Sequence, residues 1–281
     1  MSALPLLRPG WPAPAGVGAA MSLRGGGVSG GGVSFGGVSG GVLSGSVVSG
    51  GPGGPGGGYA SLNLAAAVGD EPAAVAENRA RFAAALGAQP VWLRQVHGIK
   101  VLRLHADGDI TRSEPADAAW TTDTGVACTV QVADCLPVLF ALRDGSAVAA
   151  AHAGWRGLAA GVLEATVQAL CEGRAVAPSD VLVWLGPCIG PREFEVGADV
   201  LLAFDEDPAA PDVRRFVGRA RPDGAARWLA NLPLLAAERL AAAGVQSITS
   251  ADACTVQGAS GFFSFRRDGV TGRMAAAVWR C

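Results

Sequence analysis

The stretch Val132–Leu158, VADCLPVLFALRDGSAVAAAHAGWRGL, constrains the fold more than any other part of the chain. Two short apolar runs, LPVLFAL and SAVAAAH, flank Arg143-Asp144-Gly145. Asp-Gly accepts the positive φ angles of a tight turn, so the pair predicts a β-hairpin of core strands. The same stretch sets Cys135 at one end of the hairpin and His152 at the other. A second histidine, His97, lies upstream in LRQVHG, and the chain has three histidines in all. Two imidazoles and one thiolate gathered by a fold make a metal site with a vacant position, which catalysis requires.

Around the hairpin, strand and helix signals alternate. Asp70 reads as an N-cap with Pro72 in the first turn and Gly87 past the end, so AAVAENRARFAAAL predicts a helix. VWLRQV and KVLRL predict strands on either side of His97-Gly98, and GVACTVQV a third. GLAAGVLEATVQALCEG predicts a helix ending near Gly173, VLVWLG a buried strand, and NLPLLAAERLAAAG a helix capped by Asn231 and stopped by Gly244. FFSFRRDGVTGRMAAAVW predicts a hairpin-like pair around Asp268-Gly269. Hairpins mixed with helices argue an α+β, mixed α/β fold with mixed sheets, and residues 1–281 are expected to form one domain.

Residues 26–58 break the pattern. GGVSG, GGVSF, GGVSG, GVLSG and SVVSG follow one another and decay into GPGGPGGG. Glycine loses the most backbone freedom on ordering and offers nothing to bury, so a flexible insertion is expected there. A phosphate-binding loop would need a GK[ST] ending, which is lacking.

Composition excludes several classes. Half of the 281 residues are hydrophobic, enough for a sizeable core, and the net charge of −2 offers no basic tail for nucleic acid. No apolar run is long enough to span a bilayer, and the proline-rich start, MSALPLLRPGWPAPAG, does not read as a secretory signal. Six cysteines without export suggest reduced thiols. A cytoplasmic protein that binds neither membrane nor nucleic acid is expected.

Zinc suits two imidazoles and a thiolate, here His97, Cys135 and His152. Spacing does not decide the matter. A histidine on an apolar strand is ordinarily a hydrogen-bonded core residue, and cysteine is among the most buried residue types. Asp134, beside Cys135, faces the opposite side if that stretch is extended. Arg156 follows His152 at the opening of a helix, where backbone N–H groups favour an anion. Arg266, Arg267 and Arg24 are further anion-binding candidates, with surface ion pairs as the alternative for Arg266 and Arg267. Trp155 or the C-terminal phenylalanines of FFSF could stack on a planar base, and His105, in HADGD, reads as an exposed loop residue.

WPAPAGV, GGVS, SLNL, VGDEPAAVAENR, VWLRQVHG, ADCLPVLF, AAHAGWRGL, WLGPCIGPREFEV and FFSFRRDGVTGRMAAAVW together resemble successive blocks of the YfiH-like family. That family carries several names: laccase-domain or polyphenol oxidase, purine nucleoside phosphorylase, and peptidoglycan editing factor. The resemblance runs from about Trp11 to Trp279. It implies a single domain of mixed sheets layered between helices, a fold likened to toxin cysteine hydrolases of the CNF type. It implies zinc held by His97, Cys135 and His152, with a monomer or homodimer acting on small molecules. Two departures stand out. The long glycine tract replaces a short turn between GGVS and SLNL, and Phe265 stands where the family commonly has tyrosine or histidine.

The family names differ in chemical plausibility. A multicopper laccase needs about ten histidines, and three cannot supply them. A single copper bound by Cys135 and two histidines is conceivable, with Met1, Met21, Met274 or a carbonyl as axial ligand. The resemblance implies phosphorolysis of adenosine, inosine, guanosine and methylthioadenosine, and deamination of adenosine. In phosphorolysis, phosphate attacks the anomeric carbon while zinc and an arginine such as Arg156 orient its oxygens. The H-x-E with P-C-x-x-C signature of zinc nucleobase deaminases is absent. Asp134, Glu193 and Glu195 are the candidate proton carriers. The alternative is a cysteine hydrolase or amidase acting on peptidoglycan precursors, with Cys135 as nucleophile and His152 as base.

Overall fold

The computed structural model describes residues 4–30, 58–108, 114–257 and 261–281. Apart from its edges, the glycine-rich insertion expected over 26–58 lies outside the described residues.

The chain opens with β1 (Leu6–Leu7) and β2 (Val17–Ser22), then α1 (Pro72–Leu86) and β3 (Gln89–Trp92). The expected helix is there, but Asp70 is not its cap. Glu71 occupies the N-cap without a side-chain bond, and Asp70 instead accepts from the Glu71 N–H and from Asn63 Nδ2. Pro72 presets the first turn, and Gly87 ends the helix at φ 67°. The strand expected over VWLRQV stops at Trp92, because the following residues turn toward a carboxylate described below.

Next come β4 (Val101–Arg103), β5 (Ala118–Thr121), β6 (Val126–Val132), β7 (Leu136–Leu142) and β8 (Val148–Ala153). β7 and β8 pair antiparallel from Leu136↔Ala153 to Ala141↔Val148, as the Asp-Gly turn requires. The helix expected over residues 157–173 is two helices, α2 (Trp155–Ala160) and α3 (Val162–Arg174). Gly161, at φ 104°, breaks them; its N–H closes α2 on the Gly157 and Leu158 carbonyls.

The remainder runs through β9 (Val181–Leu185), β10 (Glu195–Val196), α4 (Ala198–Ala203), β11 (Phe216–Arg219), β12 (Arg227–Ala230), α5 (Leu232–Ala242) and β13 (Ser247–Ser250). It ends with the short helix α6 (Phe265–Asp268) and β14 (Met274–Arg280). Asn231 caps α5 as expected, accepting from Leu234 N–H at 3.2 Å. The expected C-terminal hairpin is not formed. Ser264 caps the FRRD turn as a helix, and β14 pairs instead with β2 and β6.

Two mixed sheets stack face to face. One has the order β1-β2-β14-β6-β3, the other β13-β9-β7-β8-β5-β4, and β10-β12-β11 form a small third sheet. Between the two large sheets lie Val130, Val132, Met274, Ala276 and Val278 against Leu139, Ala150 and Trp184. On the far side of the six-stranded sheet, Val138, Phe140, Leu142, Ala149 and Ala151 meet α2, α3 and α5 through Leu158, Val162, Leu163, Val167 and Leu240. On the far side of the five-stranded sheet, Ala275, Ala277 and Trp279 meet Phe82 and Leu86 of α1. The order is helix, sheet, sheet, helices. Alternate residues of β7, β8 and β14 thus face two different apolar layers, which is why these strands show no polar alternation.

Candidate metal centre

His97, Cys135 and His152 meet at one end of this stack. His97 lies where the chain passes from β3 of one sheet to β4 of the other. Cys135 lies on a second such passage, from β6 to β7, and His152 near the end of β8. Their ligand atoms all fall within 4.8 Å of one another. Cys135 Sγ is 3.7 Å from His97 Nε2, and the two imidazoles stand edge to face with centroids 4.7 Å apart. A tetrahedral zinc site with bonds of about 2.0–2.3 Å has donors roughly 3.3–3.6 Å apart, so the cluster could close on one ion with little movement.

His97 is not on a strand. It sits exposed in a left-handed turn at φ 60°. The turn is held by Asp117, a fully buried residue just before β5 that sequence reading missed. Its carboxylate accepts from the Val96, His97 and Gly98 N–H groups at 3.0, 2.9 and 2.8 Å. It also accepts from His152 Nδ1 at 2.8 Å. This bond leaves Nε2 of His152 for the thiol side. One carboxylate thereby orients two of the three donors. Its signal in ADAAW is a lone acid before a strand, which spacing cannot tell from a surface residue.

Gly154 is the second structural requirement. A Cβ there would lie 2.6 Å from His97 Cδ2 and 3.1 Å from Cys135 Sγ. The room for an ion beside these donors therefore depends on glycine, at a backbone φ of −64° that any residue could adopt. Gly157 is similarly pressed by the Gly98 carbonyl, at 3.0 Å from a notional Cβ.

The electrostatics favour a metal ligand. Burial opposes the Cys135 thiolate, but the His152 charge and hydrogen bonds from His152 and His97 outweigh it, bringing the thiol down to about 6. Burial likewise opposes the His152 imidazolium, yet the Cys135 thiolate and the Asp117 carboxylate raise it to about 9. Burial also works against ionised Asp117, while hydrogen bonds from His152, Gly98 and Val96 hold it below the usual carboxylate range. Both shifts favour charge separation between Cys135 and His152 when no metal is bound.

A cavity of about 970 Å³ opens onto the cluster. Arg79, Arg94, Arg156, Arg266 and Arg273 line it, and no carboxylate does among the described residues. Of the residues singled out from sequence, Arg156, Trp155 and Arg266 are on this wall, with Arg156 Cζ 4.3 Å from the Trp155 ring centroid. Phe265 lines it too and is 58% exposed. Arg24 and Arg267 are elsewhere: both pair with Asp268, and Arg267 also donates to the Thr255 and Phe262 carbonyls. Of the candidate proton carriers, Asp134 lines a small adjoining pocket with Cys135, Trp155 and Arg266, whereas Glu193 and Glu195 line neither cavity. Asp134, at φ 88° rather than extended, accepts from Thr255 Oγ1 and the Arg266 N–H, both at 2.6 Å. Glu193 accepts from Gln257, and Glu195 pairs with Arg219 and Arg221. His105 is an exposed loop residue, as expected. Arg79 and Arg273, which sequence reading passed over, were hidden by lying on a helix flank and at a strand entry.

Layered mixed sheets with a Cys/His/His cluster at their crossing define a class, and comparison with known proteins places the chain within it. A family model described as multi-copper polyphenol oxidoreductase laccase matches residues 48–281. The chain belongs to this family, the one its sequence blocks resemble. It is 45% identical to a purine nucleoside phosphorylase of Pseudomonas aeruginosa, covering 97% of each chain. It is also 45% identical to purine nucleoside phosphorylase YfiH of Escherichia coli, covering 98% of each. Among solved structures, a Neisseria meningitidis DUF152-family protein matches with TM-score 0.78 at 40% identity, covering 98% of both chains. YlmD of Geobacillus stearothermophilus matches with TM-score 0.79 at 31% identity, covering 100% of this chain and 97% of its own. No helix among the described residues is long and apolar enough to cross a membrane.

Proposed function

We propose that the protein is a zinc-dependent purine nucleoside phosphorylase, acting on adenosine, inosine, guanosine and methylthioadenosine, with adenosine deaminase activity at the same site. One observation carries this reading: a cavity walled by five arginines and no described carboxylate opens directly onto three donors that could hold a metal ion. The names of the relatives at 45% identity point the same way.

His97, Cys135 and His152 would hold the ion, which supplies Lewis-acid polarisation of a substrate oxygen. Asp117 keeps His152 in the tautomer whose Nε2 can ligate, and fixes the His97 turn. Phosphate attacks the anomeric carbon, and Arg156 and Arg266, on the same cavity wall, would bind and orient the reactants for that approach. Trp155 offers an aromatic face to the purine. Purified without added copper, the protein should contain stoichiometric zinc. With adenosine and phosphate it should release adenine and ribose 1-phosphate, and Cys135→Ala should abolish that. Copper in place of zinc, or no phosphate-dependent release, would refute the reading.

A cysteine hydrolase acting on peptidoglycan precursors is the second reading. It is favoured by the file of Asp117, His152 and a Cys135 thiol brought to about 6, a nucleophile with an oriented base. Such an enzyme is active without metal and is inactivated by iodoacetamide. The zinc enzyme, its thiolate already bound, resists that reagent.

A further inference from the structure

We propose that Arg79 and Arg273 form a subsite for a phosphate-class dianion on the wall of this cavity, beside the three metal donors. Arg79 projects from α1 with its Nε donating to the Leu64 carbonyl at 2.9 Å and its Cζ 4.3 Å from the Trp92 ring. Arg273, at the entry to β14, donates from Nη1 to the Thr271 and Gly272 carbonyls at 2.8 and 3.1 Å. Its own carbonyl accepts from the Leu64 N–H, so both arginines are tied to the same short segment. Both line the cavity.

Neither forms an ion pair with a carboxylate among the described residues, a state they share with Arg156 and Arg266 of the same wall. The Nη atoms of Arg79, and Nε and Nη2 of Arg273, have no acceptor among the described residues. Both side chains are half-buried, and burial draws each guanidinium below its ordinary pKa. A half-buried cation with no carboxylate partner keeps part of its desolvation cost, which a bound anion would offset. Planar guanidinium edges match phosphate oxygens bidentately. Two cations are balanced by a dianion, whereas a single carboxylate would leave one uncompensated. The subsite deepens the phosphorolysis reading and rests on it for the identity of the natural anion.

The test is anion binding to the intact protein, which needs no turnover. Inorganic phosphate and adenosine 5′-monophosphate are titrated separately by calorimetry. The wild type should bind at least one with a Kd of about 1 mM or tighter. Arg79→Gln and Arg273→Gln should each weaken it about tenfold or more. Arg174→Gln, which removes the same charge from an exposed site, should change it less than about twofold. Arg79→Lys, keeping the charge but not the fork, should fall between, which separates lost recognition from misfolding. Binding of phosphate alone identifies a co-substrate; binding of the ester alone identifies a substrate that carries its own phosphate. Cys135→Ala should retain anion binding while losing turnover. If wild type binds phosphate but cleaves no nucleoside, the phosphorolysis reading fails and the subsite stands. The subsite fails if neither anion binds wild type, or if both glutamine variants, melting normally, bind as wild type does.

Discussion

At the scale of single residues, Asp117 and Gly154 do more for the cluster than any residue besides the donors. Asp117→Asn keeps the shape but replaces one accepting oxygen with a donor, against four N–H groups that converge there. Zinc affinity, measured by competition with a chromophoric chelator, should fall about 10–100-fold, while Asp117→Ala should also destabilise the fold by about 3–5 kcal/mol. Gly154→Ala should fold normally, since the backbone there is ordinary, yet lose metal because its methyl takes up room beside His97 and Cys135. Normal zinc content in that variant would contradict the role assigned to the glycine. The ionisation of Cys135 has a definite sign. Its pKa in the fold is depressed to about 6, so the thiolate persists above that value and is lost as pH falls through it. His152, raised to about 9, keeps its proton across the same interval and loses it as pH rises through 9. In metal-free protein, iodoacetamide should therefore modify Cys135 at a nearly level rate from pH 8 down to about 6, where an ordinary thiol with pKa near 8.5 slows about tenfold per unit. A rate that tracks an ordinary thiol would overturn this assignment.

At the scale of elements, what could be read from sequence was what local chemistry decides. The β7–β8 hairpin was legible because Asp144-Gly145 allows one kind of turn between two runs of matching length. The cap of α5 was legible because Asn231 and Pro233 act within one turn. Errors arose where a distant partner overrides local preference. Gly161 looked like a tolerated helix glycine, but it stands in the left-handed region so that α2 can lean on the His97 turn while α3 covers the sheet. Gly161→Ala should lower stability by about 1–2 kcal/mol in urea unfolding, with zinc content unchanged, since α2 would be strained rather than displaced. The C-terminal segment misled for a related reason. Asp268-Gly269 has hairpin chemistry, but β14 finds its partners in β2 and β6, whose apolar faces a hairpin would have left uncovered. The donors themselves were named from sequence, yet their meeting was not derivable from spacing. His97 and Cys135 lie on two separate crossings between sheets, and only the stacking of those sheets brings the crossings together.

That placement makes the cluster a joint of the whole molecule. The chain passes between its two large sheets at His97 and again at Cys135, and His152 anchors the six-stranded sheet beside them. An ion bound there ties together segments 38 residues apart, between His97 and Cys135, across two layers. Binding to the native state alone stabilises it by mass action, about 4 kcal/mol at a thousandfold excess over Kd. For a chain of this size that corresponds to a rise in Tm of very roughly 8–16 °C. Calorimetry of the zinc-loaded protein and of the same protein after chelator should show this difference. Cys135→Ser should melt near the chelated value and respond little to either treatment. Acid should act in the same direction as chelator, because ligation requires a thiolate and neutral imidazoles and is opposed by protons. A wild type whose Tm ignores chelator would mean that packing alone closes the joint, and that the three donors serve the chemistry of a free thiolate instead.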